Sequence, residues 1–303
     1  MTDFEIISDS DTAPWQSGFE RRLRAWYASV GFGETAIDQQ LGTIREEFAG
    51  WTIVGITAAG TRVGHLAVAV NERNGALAGR IGDLWVEPEH SGQGYEQAAR
   101  AWAESWCAEQ GARTVGVRLT GSAELFADYP VRAQSRMRVI DSPAEPVNQV
   151  TARAISEDEY PGWLAAEQAG YVAQIIRAGH STPEQARKKS DEDFGRLLPQ
   201  GRETPANTIM AMELAGEVIG TGWLRHGHLP GVSFGYSLEV HPEHRSKGYG
   251  RDALAIGERA TLAGGDSAMM FNVFGGNEIA MNLYTSAGYL VVDETRSIQL
   301  PRD

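Results

Sequence analysis

The segment Val86-Glu87-Pro88-Glu89-His90 recurs as Val240-His241-Pro242-Glu243-His244, 154 positions further along a chain of 303 residues. A second echo keeps the same order: Ala59-Gly60-Thr61-Arg62-Val63-Gly64 returns as Ala215-Gly216-Glu217-Val218-Ile219-Gly220, 156 positions on. One five-residue echo is within the reach of chance. Two in register point to duplication of a unit of about 150 residues, the usual size of one domain. Between the copies runs Asp141-Ser142-Pro143-Ala144-Glu145-Pro146-Val147-Asn148, short, polar and proline-rich, as a linker is. The expected division is therefore 1–145 and 146–303.

Composition narrows what a duplicated unit can do. The single cysteine, Cys107, excludes an intrachain disulfide and any multi-cysteine metal site, so no metal is expected. A net charge of -13 argues against a nucleic-acid partner, because phosphate neutralisation needs a basic surface. It is compatible with a cationic amine partner. No apolar run reaches the ~18 residues of a membrane span, so no membrane partner is expected. The segment Met1-Thr2-Asp3-Phe4-Glu5 lacks a basic, apolar leader pattern, and a cytoplasmic setting is the expectation. Nothing in the sequence fixes the oligomeric state.

Strands and helices alternate in both halves, so the fold class expected is α/β in the broad sense (α+β), with mostly antiparallel sheets flanked by helices. In the second half Val150–Ile155 reads as a strand. Ser156 and Glu159 have the spacing of a capping box, and Thr182-Pro183-Glu184-Gln185 opens another helix. Residues 208–213 and 217–223 form a hairpin around Ala215-Gly216, and Val232–Val240 is a third strand. A helix at about 251–263 ends at Gly264-Gly265. The strand Ala268–Phe274, a helix at about 277–287 and a strand at 290–298 complete the half. In the first half Ala99, Trp102, Ala103 and Trp106 share one helical face, read as core. His226 and His228 fall in Arg225-His226-Gly227-His228-Leu229-Pro230, read as a solvated loop, and His241 and His244 flank Pro242 without a ligand pattern.

The turn Arg245-Ser246-Lys247-Gly248-Tyr249-Gly250-Arg251 lies between a strand and a helix. Glycines let backbone amides approach an anion, a helix N-terminus adds unpaired N–H donors, and three cations stand in an otherwise acidic chain. It is neither a Walker A loop nor a complete Rossmann fingerprint, and an ordinary strand–helix turn has the same glycines. Further on, Asn277, Ala280, Leu283, Tyr284 and Gly288 recur at helical spacing. Two roles are open to Tyr284, a core aromatic or a proton donor.

Together these segments resemble two motifs of the GNAT superfamily of acyl-CoA-dependent N-acyltransferases. Val240-x-Pro242-x-x-Arg245-x-x-Gly248-x-Gly250 is similar to its pyrophosphate motif. Asn277-x-x-Ala280-x-x-Leu283-Tyr284-x-x-x-Gly288-Tyr289 is similar to its following motif. The resemblance covers 150–303 well and, through the repeat, implies two tandem GNAT-like domains with the chemistry in the second. It implies acetyl-CoA, or another acyl-CoA, as cosubstrate, held by Leu238, Val240, Arg245, Ser246, Lys247, Gly248, Tyr249, Gly250, Arg251, Asn277 and Tyr284. It also implies direct attack by a small-molecule amine. Glu239, or a water relay, would be the base, a backbone N–H around Val240 on a bulged, splayed strand the oxyanion donor, and Tyr284 the acid that protonates the thiolate. The alternatives are a longer acyl-CoA or a carrier-protein thioester as donor, or acyl-CoA binding without turnover.

The first copy departs from the pattern. Aligning Val86 with Val240 puts Ser91 at Arg245, Glu96 at Gly250 and Trp85 at Glu239; Phe126 falls at Tyr284. A degenerate acyltransferase fold, scaffolding the active half or helping to build its acceptor pocket, is the expectation for 1–145.

Overall fold

The computed structural model describes residues 2–47, 50–73, 75–143, 145–177 and 182–301. Ala144 of the expected linker, and residues 178–181 between the two helices that open the second half, lie outside them. The first half runs β1 (Thr2–Ile6), α1 (Ala13–Ser29), α2 (Glu34–Glu47), β2 (Thr52–Ala58), β3 (Thr61–Arg73), β4 (Ala76–Val86), α3 (Tyr95–Glu109), β5 (Thr114–Leu119) and β6 (Val131–Val139). The second half follows the same order. It runs β7 (Thr151–Ala154), α4 (Tyr160–Arg177), α5 (Pro183–Leu197), β8 (Asn207–Leu214), β9 (Glu217–Leu229), β10 (Val232–Val240), α6 (Tyr249–Ala263), β11 (Ala268–Phe274), α7 (Glu278–Ser286) and β12 (Leu290–Gln299). The halves differ most at the element before their last strand. A single 3-10 turn, Glu124–Phe126, stands before β6 where α7 stands before β12.

Local chemistry explains the boundaries. The Ser156 amide donates to Glu159 and the Glu159 amide to Ser156, and Thr182 and Gln185 close a second reciprocal box at the start of α5. Each half turns its first hairpin on Ala-Gly. Ala58 pairs with Thr61 and Leu214 with Glu217, and Ala59, Gly60, Ala215 and Gly216 all have positive φ, as a two-residue primed turn requires. The register repeats as well. Ala78 faces Thr114 and Val232 faces Ala268, pairs related by the 154-residue offset of the sequence.

The chain forms two compact units, residues 1–137 with 272–303, and residues 138–271. In the first, strands lie in the order β1-β2-β3-β4-β5-β12-β6, with β4 and β5 parallel. Val54, Ile56, Leu66, Val68 and Ile81 form its core with Ala99, Ala103 and Cys107 of α3; Trp102 and Trp106 stack at its margin. In the second, the order is β11-β10-β9-β8-β7, with β10 and β11 parallel, over a core of Ile155, Trp163, Phe194, Leu198, Ile209 and Trp223. These units do not coincide with the expected 1–145 and 146–303. Strand β12 pairs antiparallel with β5 on one edge and β6 on the other, so the end of the second sequence copy completes the sheet of the first unit. Its backbone groups find both partners there, which no local sequence signal announces.

One contact repeats across the units. A Cβ on Gly64 would lie 2.2 Å from the Trp85 carbonyl oxygen, and one on Gly220 would lie 2.3 Å from that of Glu239. The glycine in each second echo thus lets β3 close on β4, and β9 on β10, just before the turn that follows. Backbone cannot retreat as a flexible side chain does. Gly64→Ala and Gly220→Ala are each expected to cost about 1–3 kcal/mol in urea denaturation.

Candidate active site

Strand β10 carries a bulge. Leu224 faces Gly235 and Trp223 faces Ser237, so Tyr236 is the extra residue. The parallel pairing with β11 runs from Val232–Ala268 to Gly235–Phe271 and ends there. From Tyr236 to Val240 the strand is held by β9 on its other edge, a splayed arrangement as the resemblance implies. Alternation places Ser237 and Glu239 on one face and Leu238 on the other, where its Cδ1 lies 3.2 Å from the Cβ position of Gly222.

Beyond Val240 the chain makes one 3-10 turn and enters α6 through Gly248, whose φ of 89° marks it as the left-handed cap. Ser246 also has a positive φ, 63°. Such alternation turns successive amides inward as an anion nest at the head of a helix. Arg245, Ser246, Lys247, Gly248 and Arg251 are exposed, and Tyr249 and Gly250 are half-buried. Asp252, buried in the first turn of α6, accepts from the Val147 amide at 2.7 Å and from Asn148 Nδ2 at 2.8 Å, which anchors the loop's underside. Arg245 and Glu239, read as cofactor ligand and base, pair with each other at 2.6 Å, and Arg245 Nε donates to the Val240 carbonyl. Both are about half exposed (55% and 52%), so the pair is weak and open to competition by an anion.

Asn277 and Tyr284 lie in the other compact unit. Asn277 caps α7, its side chain accepting from the Ala280 amide at 3.2 Å, which accounts for the motif asparagine structurally. Tyr284 packs against Tyr289 at 5.8 Å between ring centroids. Burial pushes its phenol up to about 12, against a downward pull from Arg136.

The sequence profile of the acetyltransferase (GNAT) family matches residues 158–289. The uncharacterized N-acetyltransferase YycN of Bacillus subtilis (strain 168) is 29% identical over 146 residues, 47% of this chain and 94% of its own. Mycothiol acetyltransferase of Arthrobacter sp. (strain FB24) is 25% identical over 257 residues, 80% of this chain and 72% of its own. Residues 158–289 thus match a GNAT acetyltransferase domain. A GCN5-related N-acetyltransferase structure from Sphaerobacter thermophilus shares the fold over 99% of this chain and 96% of its own, with a TM-score of 0.53 at 16% identity. Family members use acyl-CoA as cosubstrate. The nest, the left-handed glycine and the cations of 245–251 fit its pyrophosphate. Among the described residues no group of three or more His, Cys, Asp or Glu could hold a metal, and no helix is long and apolar enough to cross a membrane.

The first GNAT-like copy keeps the loop and fills it. Gly92 and Gly94 have φ of 75° and 88°, at the positions of Ser246 and Gly248. The Glu96 carboxylate folds back to accept from Ser91 Oγ at 2.6 Å and the Gly92 amide at 3.1 Å. Burial raises this carboxyl, but the Ser91 hydroxyl and the Glu96 and Gly92 amides outweigh it and hold it below the ordinary glutamate range. The loop supplies its own anion. Phe126 is buried in the core of the first unit.

One reading changes. His226 and His228 lie on β9, not in a loop. His226 sits in a buried network, with its Nε2 2.8 Å from Thr208 Oγ1 and its Nδ1 2.8 Å from Ser233 Oγ, which donates to Asp266 at 2.7 Å. Helix spacing also conceals Glu167 on α4, which burial raises above the ordinary glutamate range with Glu239 adding to the rise. Its only sequence signal is its place one helical turn after Trp163.

Glu96→Gln is expected to lower stability by about 0.5 kcal/mol at neutral pH, the screened value of a helix N-terminal charge. Because the folded pKa is depressed, that contribution is present above the free-glutamate value and lost as pH falls through the folded one. Urea midpoints of wild type and variant should therefore differ at pH 7 and converge in acid.

Proposed function

We propose that this protein transfers the acetyl group of acetyl-CoA to a primary amine of a small molecule, with the chemistry in the 146–303 copy and the 1–145 copy a degenerate scaffold. The observation that carries this reading is the contrast between two loops of one design. The loop at 245–251 presents cations and free amide geometry, whereas its counterpart is neutralised by Glu96. The Arthrobacter relative's name, mycothiol acetyltransferase, is in keeping with a small-molecule acceptor. A cytoplasmic setting goes with this reading, as does acyl-CoA held by Leu238, Val240, residues 245–251, Asn277 and Tyr284.

The roles follow from the chemistry each step requires. Glu239, directly or through water, takes the proton from the attacking amine. A backbone N–H near Val240 donates to the oxyanion as the C–N bond forms. Tyr284 gives its hydroxyl proton to the thiolate released when the C–S bond breaks. A phenol pushed up to about 12 keeps its proton throughout the neutral range, so the donor is in its protonated form when the C–S bond breaks. Arg245 leaves Glu239 for the pyrophosphate, so cosubstrate binding frees the base.

The test is a panel of primary amines with acetyl-CoA, followed by thiol release and product mass. Turnover with at least one amine is expected. Tyr284→Phe should lower kcat about 10²-fold while the acetyl-CoA Kd changes less than twofold. Acetyl-CoA binding without turnover of any amine would replace this reading with a binding protein. Turnover of longer acyl-CoAs alone would change the donor. In a separate measurement, Arg245→Ala with Lys247→Ala should raise the acetyl-CoA Kd at least tenfold by calorimetry, since both remove charge from the loop.

A further inference from the structure

The two copies solve the same packing problem with different charges. Trp15 on α1 packs with Ile53 and Ile7; Trp163 on α4 packs with Ile209 and Ile155. The Ile7 amide bonds the Ile53 carbonyl at 2.8 Å, as the Ile155 amide bonds that of Ile209 at 3.0 Å. The bulged strands correspond too: Asp83 pairs with Ala67 and Ser237 with Trp223 across equivalent registers. So Trp15 answers to Trp163, Phe19 to Glu167 and Asp83 to Ser237.

In the first copy this place is full. Trp15 Nε1 donates to Asp83 at 2.9 Å, Arg22 pairs with Asp83 at 2.5 Å and lies 4.4 Å from the Trp85 ring, and Phe19 stacks on Trp15 at 5.6 Å. The indole is satisfied and the carboxylate neutralised. In the second copy the carboxylate has moved from strand to helix and lost its cation. Gly170 occupies the Arg22 position, and no Lys or Arg of the described residues pairs with Glu167. The Trp163 indole N–H, on a residue only 7% exposed, and the buried Ser237 hydroxyl lack a hydrogen bond of acceptable geometry. Both are close enough to draw the Glu167 carboxyl down, against burial and Glu239, which push it up. Trp223 meets the Trp163 ring edge-on at 5.7 Å and stacks on the bulge residue Tyr236 at 4.3 Å.

A half-buried carboxylate with no counter-ion among the described residues, beside two donors that lack well-formed hydrogen bonds, is costly unless something cationic comes to it. We propose that Glu167, Ser237 and the Trp163 indole N–H form the acceptor subsite, and that Glu167 binds the ammonium group of a primary amine on the same face of the sheet as Glu239. The acceptor class is then an amine that arrives protonated, with a polar acceptor atom next to the nitrogen to meet Ser237 or the indole. This rests on the acyltransferase reading for the reaction, but the binding step stands without acetyl-CoA and is tested without it.

The test follows the Trp163 indole N–H resonance of the full chain, assigned with Trp163→Phe, as n-propylammonium chloride is added to 100 mM at constant ionic strength. A saturable shift is expected in the wild type, none with 1-propanol, and at least a tenfold weaker response in Glu167→Gln. Glu167→Asp, which keeps the charge on a shorter arm, should respond weakly to the ammonium and not to the alcohol. Thermal melts establish that both variants are folded. An absent wild-type shift, an equal shift with 1-propanol, or an unchanged response in Glu167→Gln each overturns the subsite. Failure of acetyl-CoA to bind by calorimetry would instead overturn the acyltransferase reading and leave the ammonium result standing.

Discussion

The bulge at Tyr236 gives β10 one residue more than β9 needs, and the strand turns away from β11 as soon as it has been passed. That departure places several polar groups together. Ser237 and Glu239 come to one face, and the strand's last residues feed a short turn into the N-terminus of α6. The close approach permitted by Gly220 holds this end of β10 against β9 while its other edge is free of the parallel ladder. Strand, loop and helix all follow from the bulge at Tyr236, one of several register shifts in the sheet. The first unit has the same irregularity at Gly82, between Ile81 and Asp83, and its β4 leaves β5 after Ile81 in the same way.

Shared geometry with unequal chemistry separates what the fold needs from what the site needs. The glycines, hairpin turns and registers recur in both copies and so belong to the fold. The charges do not recur. In the first copy Glu96 occupies its own phosphate nest and Arg22 neutralises Asp83, so each polar group finds a partner within the unit. In the second copy the nest holds no carboxylate of its own. Its Glu239–Arg245 pair is half exposed and exchangeable, and Glu167 has no cation. A protein interior favours the first solution. The second departs from it at the half-exposed Glu239–Arg245 pair and at Glu167.

Much of this was legible in the residues because it is local. The Ala-Gly hairpins, the Ser156 and Thr182 caps, the strand Val232–Val240 and the glycine-ended helices are each set by a few neighbouring side chains and appear where propensity and spacing place them. The repeat offset survives into the strand register for the same reason. What was not legible depends on partners distant in sequence. Strand β12 reads as the end of the second copy, yet its partners are β5 and β6. His226 reads as a loop residue because Gly227 and Pro230 surround it, yet β8 and β10 supply Thr208 and Ser233 to its two nitrogens and carry the strand through.

Glu167 shows why the comparison between copies carries more than either copy alone. On α4 it is one carboxylate among many in an acidic chain, and helical spacing assigns it no role. Beside Phe19, its counterpart, it stands out as the exchange of an aromatic ring for a charge at a half-buried position, accompanied by loss of the carboxylate and cation that satisfied the neighbouring indole. Drift toward stability would not make these three changes together, because each removes an interaction worth about a kilocalorie per mole or more. An unpaired carboxylate is retained where a ligand supplies its missing partner, and stability is yielded at the places where binding needs it. The first copy, with its tryptophan bonded and its aspartate paired, shows what this surface becomes when no ligand has to be accommodated.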